Sequence, residues 1–488
     1  MKRNSVIRFL VMPRMVITFL LILFSISALN PFMSYDEGLW SYVGWLFNTH
    51  GIPPYSGTVE NKTPAIFLLY TIADNFGETS IILLRALGVI CTLCTSWLIY
   101  ELGKKLKNIT AGIIAMWIFG LMSCWKIVDG FAFAQTEIFM IFFSVLAFKY
   151  IIDYTKDPNN LKMILFAGLS LGMAINFKQI ALTTLLAYCL MICWYLKDLS
   201  KMIKAMSCMV LGVLCTVFAA FFILMINGVT FNEYLQGAWM ILLDSGSRVG
   251  SISEQLTNFI NVFITSRYLL FMVIVVLFII KRKQFKRLVF VFLLLWFVGE
   301  FVGVNASGYY YGHQLKQLLP VTSLITGVYL STVKINWLRK DYVLTLAVFF
   351  LLMILPIWQL KANISKFVNH ENERSNEVNE TVNFIKRGST FDDYVYVLGS
   401  DSNVINVLAK AERRSSSKYF HSIFINDNDK RAKVLASIQK YVPRIIIKHK
   451  DLHGINDIYG NDFTNYFEEN YTLNERFNTI EIYTLAEK

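Results

Sequence analysis

Two acidic residues, Asp36 and Glu37, stand where a long apolar run gives way to a polar connection. A carboxylate at that boundary can meet both a lipid-borne donor and a water-borne acceptor, and there it can act as general base on an acceptor hydroxyl. A second reading is structural, because Ser34 to Glu37 fits the S-x-x-E capping box, in which the glutamate bonds back to the backbone of the cap residue. Neighbours on a helix point about 100° apart, so the two acids cannot take one role together. Asp36 is the stronger catalytic candidate, and Glu37 stays open between catalysis and capping.

Further ionisable residues fall at the ends of apolar runs: Lys62, Arg85, Glu137, Lys178, Arg248, and His313 with Lys316. Charges in or at the edge of a bilayer are unfavourable and by default indicate function. Singly they have simpler readings, since Lys and Arg snorkel to headgroups and Glu137 at a helix start complements the dipole. Jointly they set carboxylates and cations on one side of the membrane, as a site for a lipid-linked anion requires. The segment Gly308 to His313 adds a tyrosine cluster that includes Tyr310 and Tyr311, suited to stacking on sugar rings or to an aromatic belt at headgroup level. Asp427-Asn428-Asp429 has the form of a metal-nucleotide D-x-D, but a turn or helix cap is the preferred reading.

These residues need a scaffold that crosses a membrane. The chain of 488 residues is 55% hydrophobic and 16% charged, with mean hydropathy +0.49, which excludes an ordinary water-soluble enzyme. A net charge of +12 raises nucleic acid as a partner, yet the Lys and Arg residues sit in short clusters between apolar runs instead of on one solvated face. That is the positive-inside pattern, and no nucleic acid is expected. All seven cysteines lie in or beside apolar stretches, so no disulfide framework is implied.

Apolar runs able to cross a hydrocarbon core, which takes about 20 helical residues, fall near 10–30, 80–101, 109–125, 137–152, 162–177, 179–196, 205–226, 258–280, 288–304, 315–333 and 342–360. The first has no small-residue cleavage site after it and reads as a span, not a signal peptide. Alternate connections are basic: Lys104, Lys105 and Lys107; Lys149 and Lys156; Lys197, Lys201 and Lys204; Lys281 to Arg287; Lys334, Arg339 and Lys340. These are predicted cytoplasmic, together with the amino terminus, and the odd number of crossings puts the carboxy terminus outside.

The expected fold is a polytopic α-helical membrane protein of about 11 transmembrane helices with a small carboxy-terminal extracytoplasmic α/β domain. Residues 1–361 form its membrane domain, in which 31–79 is a first outer loop carrying juxtamembrane helices. Leu39, Tyr42, Val43, Leu46 and Phe47 have the spacing of a helix with one apolar face, predicted to lie flat on the membrane. A second short helix follows Pro64. From 362 to 488 the composition turns mixed and polar, with β-rich runs at Tyr394–Leu398, Arg444–Lys448 and Thr479–Tyr483.

In their order along the chain these residues resemble the C-type membrane glycosyltransferases, specifically glycosyltransferase family 39. Tyr35-Asp36-Glu37 is similar to the acidic pair after the family's first span, and Asn61-Lys62-Thr63-Pro64 to its K-P-P element, with Thr63 in place of a proline. Leu84-Arg85, Gln135-Thr136-Glu137, Asn176-Phe177-Lys178 and the stretch from Tyr311 to Pro320 follow in register, Gln314 replacing the aromatic after His313. Asp393 to Gly399 resembles the first strand of the family's outer domain.

The resemblance implies an inverting transfer of a sugar from a polyprenyl phosphate donor, undecaprenyl phosphate in bacteria, to an envelope glycan, lipid or protein on the extracytoplasmic face of the plasma membrane. Lys62, Arg85 and Lys178 are then expected at the donor phosphate, and Glu137, Tyr310, Tyr311, His313 and Lys316 at the acceptor or sugar. Nothing in the sequence requires a metal, though a divalent cation is compatible with it. Two other classes compete: a transporter or flippase of lipid-linked saccharides, and a noncatalytic envelope scaffold. Transporters usually carry internal repeats, and none is evident here.

Overall fold

The computed structural model describes residues 12–28, 32–124, 133–241, 251–265, 268–306, 308, 310–332 and 373–486. The predicted span at 342–360 and the residues Arg248, Lys334, Arg339 and Lys340 lie outside the described residues. By their contacts the residues form two units, one of Met1–Leu29, Arg85–Ala220 and Leu243–Ile364, the other of Asn30–Leu84, Phe221–Leu242 and Ser365–Lys488.

The first unit is helical because an apolar chain in hydrocarbon must satisfy its own backbone. Helices occupy each other predicted span: Pro13–Ala28, Ser80–Leu106, Ile109–Met122, Thr136–Tyr154, Leu161–Phe177, Ala181–Tyr195, Leu199–Ile226, Arg287–Asn305 and Leu319–Leu330. Gly77–Leu106, Leu199–Ile226 and Arg287–Asn305 are individually long and apolar enough to cross a membrane. Ile252–Thr265 and Tyr268–Ile280 lie over the span predicted at 258–280, and that at 315–333 opens as the short 3-10 helix Gly312–Leu318 ahead of Leu319–Leu330.

Lipid offers little hydrophobic drive between helices, so close backbone approach at small residues holds them together. A Cβ on Gly168 would lie 2.3 Å from the Met209 carbonyl oxygen, and one on Gly212 would lie 2.6 Å from that of Leu165. Leu161–Phe177 and Leu199–Ile226 therefore meet backbone to backbone.

The helix Thr136–Tyr154 gives this unit two chemically distinct ends. At one, Asp153 pairs with Lys105 at 2.8 Å, Lys149 at 3.2 Å and Lys156 at 3.4 Å, joining two of the connections predicted to be cytoplasmic. The Tyr195 hydroxyl donates to the Thr155 carbonyl at 2.7 Å and draws the next basic connection to the same end. Glu137 lies sixteen residues earlier, about 24 Å away at 1.5 Å per residue. Around it gather residues from the connections predicted to be outside.

In the second unit, residues 373–486 form an α/β domain around a five-stranded sheet. Its strands are β1 (Tyr394–Leu398), β2 (Arg414–Ser415), β3 (Pro443–His449), β4 (Tyr471–Arg476) and β5 (Ile480–Leu485). They lie in the order β2-β1-β3-β5-β4, with β1 parallel to both neighbours and the β3–β5 and β5–β4 pairs antiparallel. The helices Ser402–Ala411 and Asn428–Lys440 make the two crossovers between parallel strands. Asp427 caps the second by accepting from the Lys430 amide at 2.8 Å, which settles its D-x-D as a helix cap.

The loop helix Tyr35–His50 packs in this unit between Pro64–Asp74 and Ser402–Ala411. Four of the five residues of its predicted apolar face, Leu39, Tyr42, Val43 and Leu46, are under 5% exposed, and Phe47 is half-buried. Most of the face expected to meet lipid is thus covered by protein. On the side facing Pro64–Asp74, a Cβ on Gly44 would come within 2.8 Å of the Tyr70 backbone, so only glycine permits the approach. Towards the sheet, the Ser415 amide donates to the Tyr42 hydroxyl at 2.6 Å, and Asn406 Nδ2 donates to the Met33 carbonyl at 2.9 Å.

Candidate active site

In the second unit, Asp36 occupies the first turn of the helix Tyr35–His50. Ser34 caps this helix: its hydroxyl accepts from the Glu37 amide at 3.3 Å, while the Glu37 carboxylate accepts from the Ser34 amide at 2.8 Å. Glu37 is buried and makes both bonds of the capping box, the structural one of its two readings. Asp36 is half-buried and, among the described residues, makes no side-chain hydrogen bond or ion pair. A carboxylate so placed can accept a proton.

Lys62 belongs to the same unit. Its ammonium donates to Asn61 Oδ1 at 2.8 Å, lies 3.7 Å from Glu60 Oε1, and sits 5.9 Å above the Trp40 ring. Its backbone is held as well, because the Tyr55 hydroxyl donates to the Lys62 carbonyl at 2.7 Å. Tyr55 adopts φ 72°, a left-handed conformation uncommon for an aromatic residue, and so marks a locally constrained turn. Glu60 was not legible as a candidate. It is 2% exposed, and burial raises its carboxyl above the ordinary range despite the opposing charge of Lys62. Its position two residues before the lysine was the available signal.

In the first unit, four of the predicted residues come together. Lys178 donates to Glu137 Oε1, His313 Nε2 lies 3.8 Å from the same oxygen, and Thr136 donates to Glu137 Oε2 at 3.0 Å. Lys316 donates to Gln135 Oε1 at 3.0 Å and is itself buried. Two lysines and a histidine thus surround one carboxylate. Such a cluster carries an excess of fixed positive charge suited to holding an anion. Gln135, unassigned from sequence although it stood beside Glu137, contributes the Lys316 contact.

The turn that carries His313 and Lys316 is tied down by Tyr268, whose hydroxyl donates to the Leu315 carbonyl at 2.6 Å. Arg85 is buried near the start of Ser80–Leu106. The two tyrosines divide. Tyr311 is 50% exposed and stacks on His313 with centroids 5.6 Å apart, whereas Tyr310 is buried and donates to Asn305 Oδ1 at 2.9 Å. Tyr310 also meets the Phe259 ring edge-on. As for a divalent cation, no three His, Cys, Asp or Glu side chains gather as a metal site would need, among the described residues.

The fold of a helical membrane bundle with a carboxy-terminal α/β domain is that of the C-type glycosyltransferases. The chain is similar to the crystal structure of ArnT from Cupriavidus metallidurans bound to undecaprenyl phosphate, with TM-score 0.68 over 96% of this chain and 97% of that one, at 10% identity. It is also similar to the Archaeoglobus fulgidus oligosaccharyltransferase tethered with an acceptor peptide, with TM-score 0.54 over 96% of this chain and 74% of that one, at 11% identity. No curated protein sequence matches the chain. Residues 61–223 match the dolichyl-phosphate-mannose-protein mannosyltransferase family.

Proposed function

We propose that the protein is an inverting glycosyltransferase of the plasma membrane, moving a sugar from a polyprenyl phosphate, undecaprenyl phosphate in bacteria, to an envelope acceptor on the extracytoplasmic face. The observation that carries this reading is the cluster of half-buried Lys178 and His313 and buried Lys316 around the buried carboxylate of Glu137. A departing lipid phosphate accumulates negative charge as its bond to the sugar breaks, and preorganised cations in a dry site stabilise that charge best. Support also comes from the fold, shared with an ArnT crystallised with undecaprenyl phosphate.

In this reading the acceptor oxygen attacks the anomeric carbon while Asp36 takes its proton. The bond from that carbon to the donor phosphate breaks, and polyprenyl phosphate leaves with inverted configuration at the sugar. Lys178 meets the phosphate charge, with Arg85 of the same unit as a further phosphate ligand. Glu137 holds Lys178 and His313 in place, and Tyr311 offers its exposed ring to the sugar or acceptor.

The test is transfer of radiolabelled sugar from synthetic polyprenyl phosphate donors by the purified protein in lipid, with a crude envelope extract as acceptor. Wild type should label an acceptor. D36N should lose about 100-fold or more of the rate, the contribution of a positioned base. A D36N variant with wild-type turnover would sink the role given to Asp36, and appearance of intact donor in the opposite leaflet without transfer would favour a flippase.

A further inference from the structure

We infer that His421, in the carboxy-terminal domain, is a positioning residue for Asp36: through the Tyr35 hydroxyl it fixes the turn that carries the base. The inference rests on the role proposed for Asp36. The Tyr35 hydroxyl lies 2.8 Å from His421 Nδ1, and the two ring centroids are 5.0 Å apart. Ser400 Oγ approaches the same nitrogen at 3.0 Å and also contacts the Ser422 hydroxyl. His421 Nδ1 thus faces two hydroxyls, and the direction of each hydrogen bond follows the tautomer of the ring. On its other side the His421 ring meets Phe424 edge-on with centroids 4.9 Å apart, so its orientation is set by packing too.

This contact is one of three that pin the helix start. Asn406 holds the Met33 carbonyl ahead of Asp36, and Ser415 holds the Tyr42 hydroxyl after it. The Ser34 and Glu37 cap fixes the backbone of the first turn. Tyr35 is the link adjacent to Asp36 itself, and its partner comes from a segment 386 residues away. An apolar clamp would have served folding as well. A polar one, built of a tyrosine, a histidine and two serines beside a carboxylate, fits a group whose angle must be held. Misplacing a base by about 1 Å can cost on the order of 100-fold in rate, so the clamp acts on the chemical step more than on donor binding.

The experiment uses the full chain in lipid nanodiscs, with synthetic undecaprenyl phosphate donors carrying a neutral hexose or an amino pentose and with envelope extract as acceptor. Variants are Y35F, H421A, H421Q and the Y35F/H421A double. The expected result is a loss of about tenfold in kcat for Y35F and H421A with donor KM within about twofold of wild type. H421Q, whose side-chain amide can still hydrogen-bond Tyr35, should recover most of the rate, and the double variant should be no slower than either single one.

Wild-type kcat in Y35F, a loss confined to KM, or losses that multiply in the double variant would each overturn the inference. If H421A folds poorly, Y35F and H421Q carry the same comparison. If wild type transfers from no donor, the glycosyltransferase reading fails by itself, and amide exchange across residues 34–38 then decides on the clamp. Exchange faster in Y35F than in H421Q supports it, and equal rates overturn it.

Discussion

Glu137 shows how one buried carboxylate gathers cations from separate segments of the chain. It is 3% exposed, it receives a hydrogen bond from Lys178, and Lys316 lies close enough to act on it electrostatically. Removing one member of a buried pair leaves the other charge without compensation, which typically costs about 3 kcal/mol. E137Q is therefore expected to unfold at distinctly lower denaturant, and E137Q/K178M to regain most of the loss, as read by unfolding in detergent. A double variant as unstable as E137Q would show that the pair is not what Glu137 supports. Glu60 allows a complementary test in pH. Burial raises its folded pKa above the unfolded value near 4.5, so the stability it contributes is fully present below that value and is lost as pH rises through the raised one. E60Q should remove that decline, and an unchanged slope between wild type and E60Q would refute it. Both Glu137 and Lys178 were legible in the sequence because each is a charge ending an apolar run. His421 was not, because nothing in a polar, surface-forming segment announces that it meets a tyrosine on a helix at the other end of the chain.

At the level of elements, the first-loop helix was legible and its surroundings were not. Its capping box and apolar spacing follow from local rules, but a buried face looks the same whether lipid or protein covers it. Gly44 carries the missing information, since it lets Tyr35–His50 and Pro64–Asp74 touch at Tyr70. A methyl group there must push the helices apart, at about 1–3 kcal/mol for overpacking. G44A should accordingly lower the unfolding midpoint and slow transfer by displacing Asp36 and Lys62 relative to each other. Full activity and stability in G44A would contradict the close packing. The sheet makes the same point from the other direction. β1 and β3 were legible as apolar runs, because central parallel strands are buried on both faces. The edge strand β4 was missed, because only Tyr471 of its six residues is buried and its polar sequence has no alternation to read.

For the whole molecule, the functional reading depends on which side of the membrane each end of the bundle faces. Two of the basic connections meet at Asp153, and the cluster around Glu137 lies at the opposite end of the same helix. If positive charge stays inside, the Glu137 end faces out, and the carboxy-terminal domain lies outside as well. A donor phosphate must then be presented in the outer leaflet, which separates this chemistry from cytoplasmic nucleotide sugars. Single cysteines test the arrangement cleanly, because the carboxy-terminal domain contains none of its own. Glu468 is exposed on the helix Asn461–Asn470, and Lys201 is exposed at the basic start of Leu199–Ile226. With the native cysteines replaced, E468C should react with a membrane-impermeant maleimide in intact cells, whereas K201C should react only after permeabilisation. The reverse pattern would put the cationic cluster in the cytoplasm, where a donor in the outer leaflet could not reach it, and would overturn the proposed reaction together with the topology.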